Sequence, residues 1–180
     1  MKATDLITLC RSCAAEIYGT RKPTPDYGEA VARLLMGTAA QESRLVYRRQ
    51  IGYDIDHDGG AWGLWQTEIA AVSDSLRVLR ERPDIRERSA AWLLGYGRHD
   101  MPGILAMGGH GVMRLIHDLD PFACLMARLH YMRFQQAVPR DLRGQALYWK
   151  KYYNTSLGKG QPEQYITNFR SLVLPHLQGE

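Results

Sequence analysis

Apolar side chains recur at helical spacing along most of this 180-residue chain, and no other feature restricts its fold as strongly. Steps of three and four residues between apolar positions place the side chains on one face of a helix. The two-residue alternation typical of strands is weak throughout, and the sequence has no internal repeat. The pattern therefore predicts a mainly α protein. A chain of this length is expected to form one domain, residues 1–180, with a sizeable core.

Caps, prolines and glycines set the expected helix boundaries. Residues 48–66 are rich in glycine and are expected to form an irregular loop or a small β element. Residues 95–111 are also predicted to be loop-rich. The predicted helices cover approximately residues 4–18, 25–47, 67–82, 84–95, 112–117, 120–136, 141–153 and 162–172.

Composition and charge narrow the class of protein. The chain is 45% hydrophobic and 23% charged, as is usual for a globular protein in water. Its net charge of +4 suits an anionic partner such as a cell wall. No dense Lys/Arg run indicates nucleic-acid binding, and no apolar run is long enough to predict a membrane span. The N-terminal segment does not read as a signal peptide, so we expect synthesis in the cytoplasm.

Glu42 is unusual because it lies on the apolar face of the predicted helix 25–47. A carboxylate on such a face is costly to keep charged, so its pKa should be raised. A carboxyl group that holds its proton near neutral pH can serve as a general acid. The sequence thus predicts Glu42 as a catalytic acid. The other residues of this face are Val31, Leu35, Thr38 and Leu45.

Three short motifs follow one another in a distinctive order. Glu42-Ser43 comes first, Gly-Leu-Trp-Gln follows at 63–66, and Tyr153-Asn154 comes late in the chain. This order resembles goose-type lysozymes and lytic transglycosylases, which share a Glu-Ser pair, a Gly-Leu-Met-Gln turn and an Ala-Tyr-Asn-Ala-Gly segment. Here the turn carries Trp in place of Met, and the late glycines are delayed. The resemblance implies a lysozyme-like fold.

The resemblance also implies a reaction. Glu42 would protonate the oxygen of the β-1,4 bond between N-acetylmuramic acid (MurNAc) and N-acetylglucosamine (GlcNAc) in peptidoglycan. A hydrolase would need a second carboxylate to activate water. Glu68, Asp56 and Asp58 occupy or flank the positions where the family carries aspartates. A lytic transglycosylase would need no such base, because a substrate hydroxyl attacks and an anhydro sugar results.

Several further residues are predicted to contact the glycan. The tryptophans and the amides among them have a structural alternative, because tryptophans in a glycine-rich turn often fill the core and amides often cap backbone groups. The predicted contacts are Ser43, Trp62, Trp65, Gln66, Tyr153 and Asn154.

The segment Asp54-Ile55-Asp56-His57-Asp58-Gly59 resembles the opening of an EF-hand loop. The twelfth loop position, which should hold a bidentate glutamate, is Trp65, so a complete EF-hand is not expected. A non-standard Ca²⁺ site at Asp54, Asp56 and Asp58 and a plain solvated loop remain alternatives to a catalytic role. No other cofactor is predicted.

Without a signal peptide, an enzyme acting on the periplasmic or cell-wall peptidoglycan would need another route. We expect a phage endolysin released at lysis, a virion-borne enzyme, or an effector delivered by a secretion machine. An inhibitor or immunity protein would be a natural partner for such an enzyme. The alternative from a different class is a non-catalytic, lysozyme-like structural module of a virion.

Overall fold

The computed structural model describes residues 1–49, 60–97, 100–154 and 158–177. Helices dominate these residues, which confirms the predicted mainly α fold. A π-helical segment, Lys150–Asn154, directly follows the eighth α-helix. The α-helices are α1 (Ala3–Glu16), α2 (Pro25–Ser43), α3 (Ile69–Glu81), α4 (Pro83–Leu94), α5 (Met101–Ala106), α6 (Gly109–Asp118), α7 (Asp120–Met132), α8 (Leu142–Trp149), α9 (Pro162–Leu172) and α10 (Leu174–Leu177).

Helix α2 carries Glu42 and packs against α1, α7, α8 and α9. The Thr24 side chain accepts the N–H of Tyr27 at its start, where Pro25 occupies the first helical position. The helix ends at Ser43 because Arg44 and Leu45 adopt left-handed backbone conformations, with φ of 51° and 61°. It is therefore shorter than the predicted helix 25–47, and Glu42 lies in its last turn.

The apolar face of α2 is buried as the spacing predicts. Val31, Leu35 and Thr38 are at most 2% exposed. Helices α1 and α9 pack against α2, and α7 packs against α1 and α3, so one hydrophobic cluster connects these elements. Gly37 allows the closest approach, because a Cβ atom there would lie 2.0 Å from the Tyr165 hydroxyl on α9.

The irregular element expected after α2 is described only in part. Trp62 forms isolated antiparallel bridges with Arg49 on one side and Thr67 on the other, and no strand forms within the residues described. The predicted helix 67–82 begins later, at Ile69, because Glu68 occupies the N-cap position of α3, where it makes no side-chain cap. The Thr67 hydroxyl lies 3.3 Å from that of Tyr153.

Residues 100–111 are largely helical, which corrects the prediction of a loop-rich segment. The Asp100 side chain accepts the N–H of Gly103 and caps α5. A Cβ atom on Gly103 would lie 1.9 Å from that carboxylate, so glycine is needed for the cap. Gly103, one of the glycines behind the loop prediction, thus permits the capped start of α5. Among the described helices, none is long and apolar enough to cross a membrane.

Candidate active site

A cleft of about 550 Å³ opens at the C-terminal end of α2, and we call it the Glu42 cleft. Five of the predicted site residues line it together although they come from three separate parts of the chain. These residues are Glu42, Gln66, Glu68, Tyr153 and Asn154.

Glu42 is partly buried and is held by one strong hydrogen bond. The indole N–H of Trp149, a fully buried residue at the end of α8, donates to Glu42 Oε1 at 2.8 Å. Burial raises the pKa of Glu42 from 4.5 to about 7, and the nearby charge of Glu68 adds to the increase. The Trp149 hydrogen bond opposes the increase because it stabilises the carboxylate. The side chain can therefore hold or release a proton near neutral pH.

Glu68 is the second carboxylate that lines the cleft among the described residues. It is exposed at the N-cap position of α3, where the positive end of the helix dipole favours a negative charge. The two carboxyl groups thus occupy different environments, one partly buried beside an indole and one open to solvent. One environment raises the pKa of Glu42, and the other leaves the Glu68 side chain in contact with solvent.

The turn at residues 63–66 forms one wall of the cleft. Gly63 has φ of 74°, a backbone conformation that residues with a side chain rarely adopt. A Cβ atom there would also lie 2.9 Å from the Ile116 carbonyl oxygen, so both the conformation and the close contact require glycine. Gln66 also has positive φ, 45°, and its amide donates to the carbonyls of Gly63 at 2.8 Å and Tyr47 at 3.3 Å. Those contacts orient the Gln66 side chain along the cleft wall.

Backbone strain is concentrated near this cleft. Within the described residues, the non-glycine positions with positive φ are Arg44 and Leu45, immediately after the Glu42-Ser43 pair, and Gln66 in the turn. Left-handed backbone costs free energy in residues with a side chain, and it occurs at helix ends and in turns as well as at functional sites. Arg44 and Leu45 end α2, and Gln66 is the positive-φ residue of the turn that lines the candidate site.

Three predicted glycan contacts are core residues in the structure. Trp65 is fully buried and its indole donates to the Leu35 carbonyl at 2.9 Å, so it offers no face to a sugar. Trp62 is 4% exposed and is covered on one face by the Arg49 guanidinium at 3.6 Å. Ser43 is 1% exposed, and its hydroxyl donates to a carbonyl of its own helix. The packing alternative is therefore the correct one for the two tryptophans, and the Ser43 hydroxyl is hydrogen-bonded within α2.

Tyr153 and Asn154 are presented by the π-helical segment, a feature that is frequent at functional sites. The Tyr153 hydroxyl donates to the Trp65 carbonyl at 2.8 Å, which ties this segment to the glycine turn. Asn154 accepts a hydrogen bond from Lys150 at 2.8 Å, and the same ammonium donates to the Gly158 carbonyl at 2.7 Å. Lys150 therefore fixes the cleft edge on this side.

Sequence reasoning missed three residues of the site. Trp149 lies four positions before Tyr153, a helical spacing that could have paired them, but its contact with Glu42 spans 107 positions. His130 lines the cleft and lies 2.7 Å from the Tyr152 carbonyl through Nε2. Burial lowers the pKa of His130, which favours the neutral ring. Arg49 also lines the cleft.

The aspartates proposed as catalytic or Ca²⁺-binding residues, Asp54, Asp56 and Asp58, lie outside the described residues. Within the described ranges, no group of three His, Cys, Asp or Glu side chains is arranged to hold a metal ion. Comparisons with protein-family models, with curated proteins and with solved structures find no match for this chain.

Proposed function

We propose that this protein is a muramidase that cleaves the β-1,4 bond between MurNAc and GlcNAc in peptidoglycan. The observation that carries the proposal is Glu42, a carboxyl group in a cleft with a pKa raised to about 7 and an indole donor at 2.8 Å. A perturbed acid with a positioned partner in a cleft is a general-acid candidate on physical grounds. The order of the Glu-Ser, Gly-Leu-Trp-Gln and Tyr-Asn motifs resembles that of goose-type lysozymes and lytic transglycosylases. This resemblance supports peptidoglycan as the substrate.

In the proposed reaction, protonated Glu42 donates its proton to the glycosidic oxygen as the bond from the anomeric carbon to that oxygen breaks. The sugar develops oxocarbenium character, and the leaving sugar departs with a new hydroxyl. The Trp149 N–H then stabilises the Glu42 carboxylate that is left behind. The buried indole gives this acid the same partner in both protonation states.

Hydrolysis requires that water attack the anomeric carbon and that a base take its proton. Glu68 is our candidate for that base, because it lines the same cleft and its charge already acts on Glu42. A lytic transglycosylase is the second candidate, and one observation favours it. The indole-stabilised Glu42 carboxylate could itself accept the proton of an attacking substrate hydroxyl. An inert, lysozyme-like virion module is the third reading.

The first experiment measures release of soluble fragments from purified peptidoglycan. We expect wild type to be active and Glu42→Gln to lose at least about 10²-fold in rate, since general acid catalysis contributes about 10²–10⁴-fold. Glu87→Gln on α4, an exposed residue, is the matched control and should retain full activity. An inert wild-type protein would reject the enzyme and favour the structural module.

Glu68→Gln and mass spectrometry of the products separate the two reactions. A hydrolase gives reducing ends and should lose activity by about 10²-fold or more in Glu68→Gln. A transglycosylase gives anhydro ends and should keep most of its rate in this variant. Reducing ends with a fully active Glu68→Gln protein would assign the base to another group.

The setting of this activity follows from the substrate. We propose that the protein reaches periplasmic or cell-wall peptidoglycan after phage lysis, in a virion, or through a secretion machine. A host that carries such an enzyme would benefit from an inhibitor or immunity protein that occupies the cleft. The fragment-release assay and the mass spectrometry of products test peptidoglycan directly as the substrate.

A further inference from the structure

Tyr47 places an exposed aromatic residue on the wall of the Glu42 cleft. It lines the cleft and is 48% exposed, and an exposure of this size must include the ring, because the backbone makes up only a small part of a tyrosine's surface. The other aromatic residues among the described lining residues are His130 and Tyr153. Both are partly buried and are hydrogen-bonded to backbone carbonyls. Within the described part of the chain, Tyr47 is therefore the lining residue that offers an aromatic face to a ligand.

Two hydrogen bonds hold the Tyr47 backbone in place. Its N–H donates to the carbonyl of Ser43, the last residue of α2, at 2.9 Å. Its carbonyl accepts the Gln66 amide at 3.3 Å, from the glycine turn on the cleft wall. The ring is therefore carried by a backbone that is tied both to the helix of Glu42 and to the turn. A tyrosine on such a support loses little conformational freedom when a ligand covers its ring.

A sugar ring has a chemistry that fits this arrangement. A pyranose carries its hydroxyl groups around the edge and C–H groups on its faces, so one face can pack on an aromatic ring while the edge forms hydrogen bonds. The negative face of a tyrosine ring attracts such C–H groups, and the contact removes apolar surface from water. A single exposed tyrosine elsewhere on a protein would need no such explanation, but Tyr47 lies in the same cleft as Glu42.

We infer that Tyr47 is a substrate-binding residue whose ring stacks on the C–H face of one sugar of the glycan strand. It contributes affinity, whereas proton transfer belongs to the carboxyl groups of the cleft. This inference rests on the proposed function, since it concerns the substrate of the same cleft.

Calorimetric titration with the tetrasaccharide (GlcNAc–MurNAc)₂ tests the inference. Glu42→Gln serves as the background protein, because it prevents turnover. Tyr47→Phe keeps the ring and should bind within about twofold of the background, whereas Tyr47→Ala should bind about tenfold more weakly. Tyr47→Leu should lose at least about threefold, since leucine is apolar but has no flat face on which a sugar can stack.

Tyr96→Ala in the same background is the matched control. Tyr96 is 39% exposed and lines a separate pocket with Trp92, so its replacement should leave the affinity unchanged. If Tyr47→Ala fails to fold, the phenylalanine and leucine variants still decide. Four results would overturn the inference: an unchanged affinity in Tyr47→Ala, an unchanged affinity in Tyr47→Leu, a tenfold loss in Tyr47→Phe, or no binding by the background protein.

Kinetics of the active protein separate this role from the chemistry. With Glu42 intact, Tyr47→Ala should raise KM for soluble glycan strands by about tenfold and leave kcat nearly unchanged, as expected when an interaction is equally strong in the ground state and the transition state. A wild-type protein that releases no fragments from peptidoglycan, combined with Tyr47-dependent binding in the titration, would reject catalysis and keep the binding role. Normal cleavage combined with an unchanged affinity and KM in Tyr47→Ala would keep the muramidase and reject the role of Tyr47.

Discussion

Glu42 and Trp149 lie at the centre of the proposed active site, joined by a hydrogen bond of 2.8 Å. The carboxyl group is close enough to the core that burial raises its pKa, yet it lines a cleft that a substrate can enter. If the buried Trp149 N–H had no acceptor, the folded state would lose stability. Pairing the two satisfies the donor and keeps the acid in one orientation.

Replacing Trp149 with Phe should shift the pH dependence of cleavage. The hydrogen bond from Trp149 lowers the pKa of Glu42, so its loss should raise that pKa further above 7. Glu42 must be protonated to act as an acid, so activity falls as pH rises through its pKa. The alkaline limb of the plot of kcat/KM against pH should therefore move to higher pH by roughly one unit. A hydrogen bond to a charged group contributes a free energy that corresponds to a pKa change of about that size.

Trp92→Phe is the matched control for that change. The Trp92 indole is also largely buried and donates to the Ser12 hydroxyl at 2.8 Å, away from the cleft. Its replacement should cost stability without moving the limb. An unchanged limb in a folded Trp149→Phe protein, checked by thermal unfolding, would show that the indole does not act on Glu42.

At the scale of elements, the sequence predicts best where local spacing decides the structure. The buried face of α2 and the glycine turn were predictable, because helical periodicity and positive φ each depend on a few neighbouring residues. The end of α2 was not, since two left-handed residues, Arg44 and Leu45, stop a helix that the pattern would continue. Trp65 was misassigned because an aromatic ring near a cleft and one in the core have the same sequence signal.

Contacts between distant elements also lay beyond prediction. Nothing near Trp149 in the sequence indicates that its indole meets Glu42, because the contact depends on how α8 packs near the end of α2. Tyr153 was predicted to contact substrate, and it does line the cleft. Its hydroxyl, however, is committed to the Trp65 carbonyl, a bond that only the tertiary fold reveals.

The packing of α2 against α9 should be sensitive to a single methyl group. In Gly37→Ala, the new Cβ would lie 2.0 Å from the Tyr165 hydroxyl and 2.3 Å from its ring carbon, so one helix must move. We expect the free energy of unfolding to fall by about 2–3 kcal/mol, as measured by chemical denaturation.

Gly28→Ala on the same helix is the matched control, because its Cβ would meet nothing closer than 3.9 Å. This variant should gain up to about 1 kcal/mol from helix propensity. Adding Tyr165→Phe to Gly37→Ala should recover part of the loss by removing the clashing oxygen. Equal effects of the two alanine variants would show that α9 does not pack against Gly37 as described.

At the scale of the whole molecule, the proposed active site carries a cost in stability. Between pH 4.5 and about 7 the native protein holds a proton on Glu42 that the unfolded chain releases. Stability therefore falls as pH rises through this window, and above it the full cost of the buried charge is present. Glu42→Gln is neutral at every pH, and its amide oxygen can still accept the Trp149 hydrogen bond.

We therefore expect Glu42→Gln to match wild type in unfolding free energy at pH 4 and to exceed it at pH 8 by about 1–3 kcal/mol. Denaturant unfolding at both pH values measures the difference, and the exposed Glu87→Gln variant should show no such pH dependence. A gain of the same size at pH 4 and pH 8 would mean that Glu42 titrates normally. A variant that is both inactive and more stable above pH 7 would instead show that the fold maintains this carboxyl group at the expense of its own stability.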